Sequence, residues 1–282
     1  MRVLSEQRCF EGTQGFYEHD SAACCGPMRF GVFMPSRRDK KKDDGFGVLY
    51  YLAGLTCNQE TFAIKAGAQR LAGELGLVLV TPDTSPRDTG IEGATGDWEF
   101  GEGAGFYVDA TTPAFAQRFR MYSHVVDELP RVIAENFEAA DISRAGLCGH
   151  SMGGHGALTI ALKNPSRYRS VSAFAPIVAP MHVPWGEKAF SRYLGENREA
   201  WKSCDACELL THATFPGEIR IDQGQADPYL DVQLQPQRFA AACRDAGQKL
   251  KLHLHPGYDH SYWFVQSFIA DHLRHHAQAL CS

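Results

Sequence analysis

The feature that most constrains this chain is an alternation of two hydrophobic periods. Short apolar or β-branched runs recur at Met28 to Met34, Val48 to Ala53, Leu77 to Thr81, Ala145 to Cys148, Ser170 to Ala175, Glu218 to Asp222 and Leu250 to His255. Several are continuous rather than alternating, the pattern of strands buried on both faces of a parallel sheet. Between them lie helix-period stretches at Gln59 to Leu75, Met121 to Phe137, Met152 to Leu162, Val232 to Ala246 and Ser261 to His275. Strand followed by helix, repeated, needs right-handed crossovers and a sheet covered on both sides. The expected class is α/β with a mostly parallel central sheet.

Pro35 to Gly45 is too short and polar for a crossover helix. Met28 to Met34 and Val48 to Ala53 are therefore expected to pair as an antiparallel N-terminal hairpin, with one more strand around Gly15 to Ala22. The charged link reads as a solvated loop tip. Two long segments, Pro82 to Pro113 and Pro176 to Pro216, are rich in Gly, Pro and aromatic residues and are read as irregular loops that either line a site or move. No internal repeat or low-complexity linker divides the chain, so one domain over 1–282 is expected.

Composition narrows the function. Lys and Arg number 28 against 33 Asp and Glu, a formal charge of −5, which argues against nucleic acid or an anionic membrane as partner. No apolar run approaches the roughly 18 residues of a membrane span. The N-terminus, Met1-Arg2-Val3-Leu4-Ser5-Glu6-Gln7-Arg8, meets charge before it builds the apolar stretch of a secretory signal. Nine cysteines, an odd number with no framework spacing, fit a reducing, cytosolic home. Cys204-Asp205-Ala206-Cys207 lacks a second pair or nearby paired histidines, so no metal is expected, and no cofactor.

Gly149-His150-Ser151-Met152-Gly153 follows a strand and precedes a helical run. Acyl transfer wants a serine on a strained strand-to-helix turn with small neighbours, so that its oxygen projects and the backbone packs closely. Ser151 is the candidate nucleophile. In this arrangement an acid and then a histidine follow from loops after late strands. Asp222 ends a strand, and Asp227, beyond the Gly224 turn, is better placed to reach an imidazole; Asp227 is favoured. Among twelve histidines, His260 occupies the loop between the last strand and the last helix, where the base belongs. His253 and His255 share a strand face and read as packed or hydrogen-bonded. His272, His275 and His276 read as solvated on a polar helix, and His150 and His155 are neighbours of the nucleophile without reach.

A tetrahedral intermediate needs two N–H donors. Met152, after the nucleophile, offers one, and Gly54-Leu55-Thr56-Cys57, after the strand Val48 to Ala53, nominates Leu55 for the other. Cys57 reads as a thiol beside the site rather than a second nucleophile, and its alkylation is expected to block the acyl pocket.

Gly149-His150-Ser151-Met152-Gly153-Gly154-His155-Gly156-Ala157-Leu158 closely resembles the nucleophile region of the S-formylglutathione hydrolase, or esterase D, family. The likeness extends to Tyr17-Glu18-His19-Asp20, Tyr51-Leu52-Ala53-Gly54-Leu55-Thr56-Cys57, Asp83-Thr84-Ser85-Pro86-Arg87 and Asp97-Trp98-Glu99-Phe100-Gly101. It continues through Gly103 to Thr111, Asp222 to Asp227 and Gly257 to Tyr262.

The resemblance implies an α/β-hydrolase fold and a cytosolic, usually dimeric serine hydrolase. Such an enzyme splits S-formylglutathione into formate and glutathione, the second step of glutathione-dependent formaldehyde detoxification. The family triad falls on Ser151, Asp227 and His260. A formyl group would fit beside Leu55 and Met152, with Trp98, Phe106, Tyr107, Trp185 and Tyr262 as candidate walls for the glutathionyl part. Glu11, in place of a small residue, and the stretch Asp88 to Gly96 depart from the family pattern. Rival readings are a general short-chain carboxylesterase or acyltransferase on the same triad, and a catalytically dead scaffold acting as a binding protein.

Overall fold

The computed structural model describes residues 1–36 and 45–281; the charged stretch at 37–44, read above as a loop tip, lies outside the described residues. The strands are β1 Arg2–Cys9, β2 Gly12–Ser21, β3 Gly26–Met34, β4 Phe46–Leu52, β5 Leu77–Pro82, β6 Ala140–His150, β7 Ser170–Phe174, β8 Ile219–Gly224 and β9 Leu250–His255. They form one sheet in the order β1-β2-β3-β5-β4-β6-β7-β8-β9. From β5 onward every pairing is parallel. The mostly parallel, helix-flanked sheet expected from the sequence is what the chain builds.

The expected hairpin between β3 and β4 does not form. β5 lies between them, antiparallel to β3 and parallel to β4. All seven residues of β4 are buried, so this strand needs a partner on each side. The crossover through α1 (Thr61–Lys65) and α2 (Gln69–Leu75) delivers β5 to one edge of β4, and β6 takes the other. The antiparallel N-terminal part is instead the meander β1-β2-β3. The extra strand expected near Gly15 is β2. β1 escaped notice because its residues are almost all exposed and carry no apolar pattern; Arg2, Glu6 and Arg8 suit an edge strand. Glu11, flagged for its size, occupies the β1–β2 turn with φ of +67°, next to Phe10 at +44°, a turn that favours Asn-Gly.

The remaining helices are α3 (Met121–Ser123), α4 (Leu129–Asn136), α5 (Met152–Lys163), α6 (Pro184–Leu194), α7 (Arg198–Trp201), α8 (Ala206–Leu209), α9 (Pro236–Ala246) and α10 (Tyr262–Leu280). Pro176 to Pro216 is thus not irregular but carries α6 to α8, whose shortness hid their period. Pro82 to Pro113 has no helix or strand beyond the end of β5. The chain leaves β4 for β5 on one side and returns to β6 on the other, which makes the carboxyl ends of β4 and β6 the topological switch point. Ligand sites of open α/β sheets form in that crevice.

The reading of His272 and His276 as solvated is wrong: both are fully buried. Phe264, Val265, Ile269, His272, Leu273, His276 and Leu280 form the inward face of α10, and imidazoles scored as polar masked its helical spacing. The His272 ring bonds Asp222 through Nε2 at 3.0 Å and Ser172 through Nδ1 at 2.8 Å. Ser172 meets His276 Nε2 at 2.7 Å, and His276 Nδ1 meets Ser170 at 2.7 Å. One proton order satisfies the whole ladder: each imidazole donates from Nε2, and each serine donates to the next Nδ1.

Arg220 and His255 also bond Asp222, each at 2.7 Å. Burial alone would raise the Asp222 pKa, but the bonds from His272, His255 and Arg220 hold it well below the carboxylate range. Burial lowers His272 to about 4 against the pull of Asp222, and lowers His276 well below its ordinary value.

These neutral imidazoles take up protons on unfolding. Their stabilisation is complete above about pH 6.5, the unfolded imidazole value, and is lost as pH falls toward the folded value near 4. Melting temperature should be level above pH 7 and decline steadily below 6.5. A Tm unchanged across this window would contradict the buried, uncharged ladder.

Candidate active site

β6 ends at His150 and α5 begins at Met152, leaving Ser151 between them at φ +58° and ψ −120°. A non-glycine residue there is strained and persists only when its surroundings hold it. They do: the Ser151 N–H donates to Phe174 O at 2.9 Å, and its carbonyl accepts from His155 at 3.0 Å and Ile177 at 3.3 Å. The flanking glycines are obligatory. A Cβ on Gly149 would fall 2.0 Å from the Gly153 oxygen, and one on Gly153 would fall 1.9 Å from the Leu52 oxygen.

The turn after β4 packs on this elbow, since a Cβ on Gly54 would lie 3.1 Å from Ser151 Cβ. Leu55 and Met152 have no backbone acceptor for their N–H groups among the described residues; Met152 opens a helix, where the first N–H groups are free. The turn is pinned from behind. Thr56, at φ +67°, donates to Gly103 O at 2.9 Å, and Arg87 joins Asp83 to the Cys57 carbonyl.

Phe106 and Tyr107 were candidate substrate walls, but both are fully buried. Consecutive aromatic residues at φ +50° and +53° are held behind the site by three bonds. Tyr107 donates its hydroxyl to Ala53 O at 2.9 Å, the Phe106 N–H meets Met152 Sδ at 3.3 Å, and His155 Nε2 donates to Phe106 O at 3.0 Å. Burial keeps His155 neutral, with a pKa near 4. This strained segment touches the end of β4 at Ala53 and the helix after Ser151 at Met152 and His155. The sequence signal for it was weak, because a left-handed aromatic pair has no periodicity.

His260 lies beside the elbow, its ring centroid 4.6 Å from that of His150. The Ser151 hydroxyl and the His260 ring are not hydrogen-bonded in this structure, a bond that often tightens only with substrate. His260 Nδ1 meets Asp227 Oδ2 at 2.6 Å. Asp227 also accepts from Tyr229 N at 2.8 Å and Gln223 Nε2 at 3.2 Å, which orients it toward the ring. His150 is lowered far below the ordinary histidine range by burial first and the neighbouring His260 second; it packs as an uncharged ring.

Asp222, Ser172 and His272 contain the same residue types, but each is completely buried. No substrate reaches that serine, and the set ties α10 to the sheet.

On one side of His260, the Tyr229 ring stands edge-on at 5.1 Å, followed by Trp185 at 4.6 Å from Tyr229 and Trp98 at 5.8 Å from Trp185. Trp185 is mostly buried and donates to Glu99 at 2.8 Å, whereas Trp98 is about half exposed. Tyr229 was missed, although it follows Asp227 by two residues. On the other side stand Tyr262, its ring 5.7 Å from His150, and Cys57, both half-buried. Burial raises the Cys57 thiol pKa, with Thr61 and Lys65 pulling the other way, so at neutral pH it is chiefly the less reactive thiol.

Cys207 donates to Val178 O at 3.5 Å, and neither Cys204 nor Cys207 belongs to a metal-sized cluster among the described residues. His19, His124 and Glu128 do lie within 4.8 Å of one another. Glu128 there already accepts from Ser21, Ala22, Ala23 and His124. The group ties the β2–β3 turn to the helical turn at His124–Glu128. Tyr107→Phe, which removes only the bond to Ala53, should cost about 1 kcal/mol of stability, read as a lowered Tm; an unchanged Tm would show that the strut does not hold the turn.

A family model described as a putative esterase matches residues 21–275. The S-formylglutathione hydrolase of Arabidopsis thaliana is 47% identical over 278 residues, 98% of this chain and 97% of that one. The solved S-formylglutathione hydrolase from Agrobacterium tumefaciens superposes with a TM-score of 0.95 at 46% identity, over 99% of this chain and 100% of that one. A ferulic acid esterase from Anaeromyces mucronatus, 21% identical with a TM-score of 0.65 over 95% of this chain and 91% of that one, shares the fold alone. With the resemblance sustained at this identity over nearly its whole length, the chain belongs to the S-formylglutathione hydrolase, or esterase D, family of α/β-hydrolases.

Proposed function

We propose that the chain is a serine thioesterase that hydrolyses S-formylglutathione to formate and glutathione, with Ser151 as nucleophile, His260 as base and Asp227 as the acid that orients it. The observation that carries this reading is the 2.6 Å Asp227–His260 contact beside a Ser151 held at φ +58°. As the bond forms, His260 takes the Ser151 proton and the serine oxygen attacks the formyl carbon. The carbonyl electrons move to oxygen, where the Leu55 and Met152 N–H groups receive the charge. Each such donor is worth about 10²–10³ in rate.

Collapse of the intermediate breaks the C–S bond. A thiolate leaves with less help than an alkoxide, so the His260 proton mainly completes the thiol of glutathione. Water, deprotonated by His260, then attacks the formyl-serine and releases formate while the proton returns to Ser151.

The fully buried second constellation favours Asp227 over Asp222 as the acid, since Asp222 is committed to Arg220, His255 and His272. The proposal also takes residues 1–282 as one domain working as a cytosolic homodimer, as the family resemblance implies. No helix among the described residues is long and apolar enough to cross a membrane.

Purified enzyme should turn over S-formylglutathione with a kcat/KM well above that for an aryl acetate; a clear preference for the aryl ester would make it a general carboxylesterase. Ser151→Ala should lower kcat by roughly 10⁴ to 10⁶, and a loss under tenfold would remove Ser151 from the nucleophile's role. Asp227→Asn should cost about 10⁴ in kcat with little change in Tm. Asp222→Asn should instead lower stability by about 3 kcal/mol, as when a buried pair is broken, and largely spare kcat. The reverse ranking of activities would move the acid to Asp222.

A further inference from the structure

Hydrolysis of a glutathione thioester leaves one problem that the formyl chemistry does not touch: where the tripeptide lies. Its sulfur must come within reach of His260, which supplies the leaving-group proton, so the rest of the molecule must run out from that histidine. Two surfaces adjoin it. Along Trp98, Trp185 and Tyr229 the cations are already engaged, with Lys188 pairing Asp97 at 2.8 Å and Glu99 at 2.6 Å, and Arg192 reaching Asp97 at 3.7 Å.

The other surface begins at Ser261, the residue after His260. It is an open groove of about 620 Å³ lined by Ile64, Lys65, Ser261, Tyr262, Trp263 and Gln266, within the range of small-molecule sites of about 300–1,000 Å³. Trp263 and Ile64 are 77% and 70% exposed, two large apolar side chains in contact with water on a single feature. Lys65, in the last turn of α1, forms no ion pair among the described residues; its ammonium lies 5.9 Å from the Tyr262 ring centre. Its field reaches the Cys57 thiol, whose pKa burial raises and Lys65 draws back. The lysine therefore stands between the turn after β4 and the groove.

We infer that this groove is the subsite for the glutathionyl leaving group, with Lys65 pairing one of its two carboxylates and Trp263 covering its apolar stem; the assignment rests on the thioesterase reading above. Charge complementarity selects the occupant. Lys65 is the one cation among the described residues that line this groove, and the leaving group carries two carboxylates against one ammonium. Gln266 offers an amide that can both donate to and accept from the peptide bonds. The groove would discriminate by leaving group and not by acyl group, so its contribution should appear in KM for the thioester.

The test compares steady-state kinetics on S-formylglutathione and on an uncharged aryl acetate, at low ionic strength, for the unsubstituted enzyme and for Lys65→Gln, Lys65→Glu, Lys65→Arg and Trp263→Ala. Lys65→Gln should raise KM for S-formylglutathione about two- to fivefold, the worth of one exposed pair, with kcat held. Lys65→Glu should raise it further and Lys65→Arg restore it. High salt should erase the difference between the unsubstituted enzyme and the Lys65→Gln variant. Trp263→Ala should raise the same KM by a factor on the order of three.

In each loss variant the ratio of kcat/KM for S-formylglutathione to that for the aryl ester should fall in step. Equal losses on both substrates, or unchanged KM in both Lys65→Glu and Trp263→Ala, would overturn the subsite while leaving the thioesterase intact. Failure of the unsubstituted enzyme to turn over S-formylglutathione would overturn the thioesterase reading itself, and the subsite with it.

Discussion

The candidate site depends on how closely α5 approaches the end of β4. At Gly153 there is no room for a single carbon between the helix and the Leu52 carbonyl, and that contact forces the chain from β6 to α5 through a one-residue turn. Ser151 absorbs the bend in a left-handed conformation. Because the strain sits on backbone hydrogen-bonded to the end of β7, the whole central sheet maintains it. Several other residues with positive φ lie in the segments around the elbow, namely Thr56, Phe106, Tyr107 and Ala175. Their clustering is what a site pays for presenting side chain and N–H groups to one small volume.

Around that elbow the protein uses identical residue types for opposite purposes. Asp227 and His260 sit in two neighbouring loops, after β8 and after β9, with the imidazole partly open, where a proton can come and go. Asp222, His272, His276 and two serines sit under α10 with no access to water, where the same bonds serve only to register helix against sheet. Only four residues of chain separate the two aspartates. Asp222, two residues inside the end of β8, points into the packed layer, and the turn after Gly224 swings Asp227 toward His260. Environment, and not residue identity, divides chemistry from architecture.

Much of the fold was legible because a buried parallel strand must be largely apolar on both faces: β4 and β5 announce themselves this way. The serine turn was legible for a related reason, since glycine at 149 and 153 is dictated by contacts that admit nothing larger. That Asp227 and His260 meet could be expected from chain order. The exposed edge strand β1 left no hydrophobic trace. The pairing of β3 with β5 could not be seen either, because a short connection says how far the chain travels and not which neighbour already occupies the sheet edge. His272 and His276 were misread because hydropathy treats imidazole as polar, whereas a neutral imidazole with both nitrogens bonded is at home in a core.

The sequence by itself determined the α/β class, the strained serine turn and the family, and it nominated Asp227 and His260 in their order along the chain. Those features are local, or are carried by spacing along the chain. Only the tertiary structure decided that Phe106 and Tyr107 brace the turn after β4 from inside, that Tyr229 stands against His260, and that Lys65 and Trp263, far apart in sequence, share one groove. These facts depend on which surfaces meet when α1 and α10 pack against the sheet, and distance in space between such helices has no period for a sequence to display.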